Sequence, residues 1–233
     1  APVKPFITRK MLARVACFVA IFTVVLTAVV LMLTKTPVSY VCIDVNPSFT
    51  VSINRFDKVI CVNGNNKEAQ EILAENTISK SDINKTAEDI ISLVKEKEYL
   101  TEKDNSILLS VISDDREKRD TLCDNLSNSI LSQKDSEKYN LISQALRTDE
   151  SLERKAKKYD TSVGKVNFVN QIASKTKYSF DNLISLKIND LANIVSENGI
   201  NLGGIKANGK PSENSLIGKD KAKTIVFSDL KMS

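Results

Sequence analysis

Asn46-Pro47 is the only Asn-Pro bond in the chain, and it lies in the run Ile43-Asp44-Val45-Asn46-Pro47-Ser48-Phe49. At an ordinary Asn-X bond the next backbone nitrogen attacks the Asn side-chain amide. Pro47 has no N–H, which closes that route. The amide nitrogen of Asn46 can instead attack its own backbone carbonyl. The Asn46–Pro47 bond then breaks and leaves a cyclised Asn that hydrolyses. The step is slow in a free chain. A strained peptide, a donor to the developing oxyanion and a proton acceptor all speed it. Asp44, Ser48 and Thr50 are near in sequence, and which of them helps is not legible at this level. Read bare, the same dipeptide is a turn between two strands.

Composition removes most competing chemistry. The 233 residues include no histidine, which excludes Ser-His-Asp and Cys-His catalysis and any His-containing metal site. Seven glycines and no phosphate-loop pattern argue against a nucleotide site. No cofactor and no metal are expected. Cys17 lies in an apolar run, and Cys42, Cys61 and Cys123 follow it. Three thiols allow at most one internal disulfide, with Cys42–Cys61 conceivable and small buried thiols the simpler reading. Asp44 with Asp57, or Asp114 with Asp115, are the carboxylate pairs a hydrolase would need, but Asp114-Asp115 reads as a helix cap.

The net charge of +4 divides unevenly. Lys4, Arg9, Lys10, Arg14 and Lys35 put +5 on residues 1–35, and the remainder is near neutral. A basic balance confined to one end gives no nucleic-acid surface. Residues 15–33 carry no charge, which is about 28 Å of helix, close to the thickness of the bilayer's hydrocarbon core. The run is longer than a signal-peptide core and lacks a small-x-small cleavage site. We therefore expect a short cytoplasmic segment at 1–14, a transmembrane helix in the lipid bilayer at 15–34, and an extracytoplasmic domain at 36–197. Four cations before the span and one after it place the N-terminus in the cytoplasm. Residues 198–233, rich in Gly, Asn, Ser and Lys, read as a flexible tail or linker, with 224–227 its only strand-like piece.

The elements around the bond follow from periodicity. Residues 40–45, 49–54 and 58–63 alternate or run apolar and are joined by short polar links, which predicts an antiparallel meander. Helical spacing follows at 67–75 and at 81–99, where Ser81 or Asp82 supplies the cap. Residues 106–113 form an apolar strand, a helix opens at Asp114, and 139–146 is a further strand. Helices follow at 149–159, 162–174 and 180–196. The class is α+β: one N-terminal transmembrane helix, then a mixed sheet packed with helices.

The same residues carry a resemblance. A single span followed at once by 40–49 (YVCIDVNPSF) and 54–62 (NRFDKVICV) resembles the extracytoplasmic juxtamembrane domain of RsgI-type anti-sigma factors of clostridia and bacilli. The likeness continues through 66–69 (NKEA), 107–112 (ILLSVI) and 156–165 (AKKYDTSVGK), and covers roughly residues 9–175. It implies a membrane-anchored signal transducer. A cytoplasmic N-terminal domain, absent from these residues, would silence a SigI-type sigma factor. It also implies autoproteolysis at Asn46–Pro47, making Asn46 and Pro47 the site residues of a single cleavage event and not of a turnover enzyme. The pieces would stay joined through the sheet until a stimulus separates them and an intramembrane protease cuts the stub. The competing reading is a non-cleaving extracytoplasmic binding domain on a membrane anchor, facing wall polymer or a protein ligand.

Overall fold

The computed structural model describes residues 9–80 and 82–208. Helix α1 (Arg9–Lys35) exposes nearly all of its apolar side chains. Thr23 and Thr27 return their hydroxyls to the carbonyls of Val19 and Thr23, both at 2.8 Å, so neither adds an unpaired polar group to an apolar rod.

Strands β1 (Ser39–Asp44), β2 (Ser48–Ile53) and β3 (Val59–Gly64) form the meander, and β4 (Ser106–Ser113) inserts on the other side of β1. With β5 (Asn140–Leu146) and β6 (Ile205–Asn208) the sheet order is β3-β2-β1-β4-β5-β6. All pairings are antiparallel except β4 with β5. That parallel pair is bridged by helix α4 (Arg116–Leu131), as a parallel connection requires. The strand after α1 therefore sits inside the sheet, hydrogen-bonded on both edges.

Alternation gives the two faces different chemistry. Val41, Ile43, Phe49, Val51, Ile107, Leu109 and Val111 face one core, closed by α2 (Lys67–Glu75), α3 (Ile83–Glu96) and α4. The opposite face presents Leu108 and Ile142 to α6 (Val163–Lys175), α7 (Phe180–Ile184) and α8 (Ile188–Glu197), beside α5 (Glu150–Lys158). Over β1 and β2 that second face is polar, with Asp44, Ser48 and Ser52 buried. Buried polar groups need partners, and theirs make up the site described below.

Two expectations change. The helix expected at 180–196 is broken. Ser185 donates its hydroxyl to the Asn182 carbonyl and Leu186 N–H bonds to the Leu183 carbonyl, which tightens and ends α7 before α8 begins. Residues 198–208 are not all tail: Leu202 is buried and β6 pairs with β5, so the sheet passes the boundary expected at 197. Short polar composition hid a strand whose partner is about 60 residues away. Residue Ser81, one of the two candidate caps, and the stretch 224–227 lie outside the described residues; Asp82 caps α3 by accepting from Lys85 N–H.

Candidate functional site

Three residues, Val45-Asn46-Pro47, join β1 to β2, because Asp44 and Ser48 are the last paired residues of the two strands. Val45 N–H bonds to the Pro47 carbonyl at 3.1 Å. Pro47 is buried and Asn46 half-buried. The Asn-Pro bond thus lies at the tip of a very short hairpin, in which Pro sacrifices no ladder bond.

On one side the tip is gripped by Asn66. Its Nδ2 donates to the Asn46 carbonyl oxygen at 2.9 Å. Its Oδ1 accepts from Ser48 N–H at 3.0 Å and from Ala69 N–H at 3.3 Å. A single side chain therefore caps α2 and holds the backbone on both sides of the Asn46–Pro47 bond. Asn65 adds a second hold: its N–H bonds to the Ser48 carbonyl at 2.8 Å, and its Nδ2 reaches the hydroxyls of Ser48 and Thr50, each at 2.9 Å. Gly64 lets this corner close, since a Cβ there would lie 2.6 Å from the Gln70 nitrogen.

On the other side Asp44 is buried with a hydroxyl on each oxygen. Ser48 donates to Oδ1 and Ser162 to Oδ2, both at 2.5 Å. Burial pushes the Asp44 carboxyl up to about 6, against the pull of the Ser162 and Ser48 hydrogen bonds and the Lys165 charge. Ser162 is the N-cap of α6, accepting from Lys165 N–H at 2.9 Å. Lys165 is held below the ordinary lysine range by burial, opposed by the charges of Asp44 and Asp190. Gly164 lets α6 approach the sheet, because a Cβ there would collide with the Ser110 hydroxyl. Gln144 locks the contact through its Nε2, which donates to the Gly164 carbonyl and to the Ser110 hydroxyl, both at 2.8 Å.

This burial gives a pH prediction. The folded carboxyl of Asp44 titrates about two units above its ordinary 3.8. The fold is therefore favoured while Asp44 is protonated, and loses stability as pH rises from about 4 through about 6. The loss is roughly 3 kcal/mol, and is constant above that window. Urea unfolding at pH 4 and pH 7 should show this slope, and Asp44→Asn should flatten it.

The candidates from sequence thus divide. Asn46, Pro47, Asp44 and Ser48 are brought together. Thr50 is two pairs further down the hairpin, opposite Cys42, bonded to Asn65 and 3.7 Å from the Cys42 sulfur. Asp57 lies in the β2–β3 turn at the far end of β2, so it forms no carboxylate pair with Asp44. Asp115 caps α4 through Lys118 N–H at 3.1 Å. All four cysteines are free thiols. Cys42 is on β1 and Cys61 on β3, with β2 between them, so the Cys42–Cys61 bridge does not form. Among the described residues no group of acids and cysteines has the arrangement of a metal site. Asn66, Ser162, Gly164 and Lys165 were not picked out as site residues by sequence reasoning; the only signal was that they lie in segments carrying the resemblance.

A family model described as the anti-sigma factor RsgI-like central domain matches residues 38–171, which includes β1 to most of α6 and every residue named above around the hairpin. The anti-sigma-I factor RsgI9 of Acetivibrio thermocellus is 25% identical over 169 residues, covering 69% of this chain and 24% of that protein. The chain thus spans about a quarter of the length of that curated relative. Among the described residues one helix, at the N-terminal end of the matched domain, is long and apolar enough to cross a membrane. With more than half of its residues matched by the central-domain model and with an anti-sigma factor as its relative, the chain belongs to the family of RsgI-type anti-sigma factors.

Proposed function

We propose that this chain is the membrane-anchored, self-cleaving part of a transmembrane signal transducer. In this reading α1 spans the bilayer with its N-terminus in the cytoplasm, supported by Lys4, Arg9, Lys10 and Arg14 before the span against Lys35 after it. The domain from Ser39 onward stands outside the cell. A cytoplasmic domain upstream of these residues binds a SigI-type sigma factor, and an intramembrane protease releases it once the outer domain is lost.

The contact that carries the reading is Asn66 Nδ2 on the Asn46 carbonyl oxygen. That oxygen becomes the oxyanion when the Asn46 side-chain nitrogen attacks the same carbonyl carbon, and a fixed donor there stabilises the developing charge. The new bond joins Nδ2 to the backbone carbon, and the bond to the Pro47 nitrogen breaks. A proton leaves Nδ2 and one arrives on the Pro47 nitrogen. We assign the proton transfer to the Asp44 carboxyl, which accepts from the Ser48 hydroxyl at the base of the loop. Water then opens the cyclic imide at the end of the first piece, and the second piece begins at Pro47.

Intact-mass measurement of the purified chain tests this directly. Two masses that sum to the chain plus one water, with a new N-terminus at Pro47, are expected, and Asn46→Ala should leave one. A native chain that stays whole through long incubation would refute self-cleavage and favour the non-cleaving binding domain.

A further inference from the structure

Outside α1, the large hydrophobic residues exposed among the described residues are Val38 and Phe56, and Phe56 is 54% exposed. Both lie beside the point where α1 ends. Asn54, which is buried, donates its Nδ2 to the Thr34 carbonyl in the last turn of α1 at 2.8 Å. Val38 N–H bonds to the Ile53 carbonyl at 2.9 Å. The β2–β3 turn is therefore fastened to the end of the helix. It is also built to hold its shape. Asn54 Oδ1 accepts from Phe56 N–H at 2.9 Å and Lys58 N–H at 3.0 Å. Asp57 takes the left-handed conformation with φ 59°, which Asp tolerates, and its carboxylate is paired with Lys118 at 2.7 Å. An aromatic ring is thus displayed on a rigid turn between exposed Arg55 and Lys58, next to exposed Lys35.

We infer that this turn is a second membrane contact: Phe56 enters the headgroup–acyl boundary of the leaflet from which α1 emerges, with Arg55 and Lys58 at the level of the lipid phosphates. The inference rests on α1 spanning the bilayer. Aromatic rings flanked by basic side chains favour that boundary. Tethering supplies the rest, since a turn bonded to the end of the span sees lipid at high effective concentration and needs little intrinsic affinity. The start of α4 brings Asp115 and Glu117 to the same end of the domain, so the surface is not uniformly basic and the contact centres on the ring. The consequence is orientation. The Asn46–Pro47 hairpin is at the other end of β2, about 20 Å along the strand, so docking the turn points the hairpin away from the bilayer.

The chain contains no tryptophan and five tyrosines, so Phe56→Trp gives a single tryptophan that is excited selectively beyond the tyrosine absorption band. The full chain, carrying Asn46→Ala so that residues 56 and 102 stay covalently joined to α1, is reconstituted into vesicles of phosphatidylcholine with phosphatidylglycerol, with and without bromine on the acyl chains. We expect blue-shifted emission and at least twofold quenching by the brominated lipid. Glu102→Trp, at a site 84% exposed before the distal end of β4, should be unquenched. Equal emission from the two variants in chains that stay with the vesicles after an alkaline carbonate wash overturns the turn contact and leaves the membrane anchor intact. A chain washed off the vesicles overturns the anchor, and the turn contact with it.

Discussion

Changing Asn66→Asp will slow cleavage at Asn46–Pro47 by about 100-fold or more, the usual cost of removing one fixed donor from an oxyanion. The substitution is chosen for what it leaves in place. An Asp at 66 keeps an oxygen where Oδ1 accepts from Ser48 N–H and Ala69 N–H. It keeps the N-cap of α2, where Asp caps about as well as Asn. Only the Nδ2 donor to the Asn46 carbonyl is lost, and the carboxylate that replaces it sets negative charge against an oxyanion. Asn66→Ala removes the donor and the cap together and costs the fold about 1 kcal/mol more. The two variants should therefore share a cleavage defect and differ in stability. A mass-resolved time course at 25 °C, with the urea midpoint measured alongside, separates the effects. If Asn66→Asp cleaves at the native rate, the amide contact is only a cap and the hairpin must be activated by other means.

The parts of this molecule that were legible in sequence are those written in local spacing. The alternation in β1 and β2, the apolar run of β4 and the helical faces of α2 to α6 follow from side-chain period, and the Asn-Pro dipeptide marks the turn between β1 and β2. What was illegible depends on distant contacts. Ser162 reaches Asp44 across 118 positions, and nothing in the string Thr-Ser-Val-Gly-Lys tells that its hydroxyl belongs to a buried carboxylate. Gly164 reads as a poor helix residue until Ser110 is seen beneath it. Asn66 stands just before a helical stretch and caps it, and its hold on the Asn46 carbonyl appears only when the hairpin folds against it. β6 failed for the same reason, being a four-residue edge strand defined by its neighbour and not by its own pattern.

Truncating Ile43→Ala will release the cleaved domain from its anchor. In the proposed mechanism, cutting the bond leaves α1 with only β1 and the hairpin half that ends at Asn46. That strand pairs over six residues with β2 and over six with β4, and it buries Val41, Ile43 and Val45 in the core under α2, α3 and α4. The ladder bonds each contribute modestly against water, so the apolar side chains carry much of the grip. Removing the fully buried Ile43 side chain costs about 2–5 kcal/mol, which weakens retention by roughly 30-fold to several thousand-fold. Ile43→Val costs about 0.5–1.5 kcal/mol and should loosen it by roughly 2- to 10-fold. The readout is a tag upstream of α1 and the fraction of the piece beginning at Pro47 that stays on washed membranes, after mass measurement has shown that each variant is cut. Load direction makes the grip matter. β6 runs parallel to β1, so residue 208 leaves the sheet at the end where Asp44 lies, opposite the end where α1 enters. A pull between the membrane and the chain beyond 208 therefore loads the β1 ladders along their length, with all bonds sharing the force. A domain that clings equally well with native Ile43 and with alanine there would mean that strand burial does not hold the pieces together.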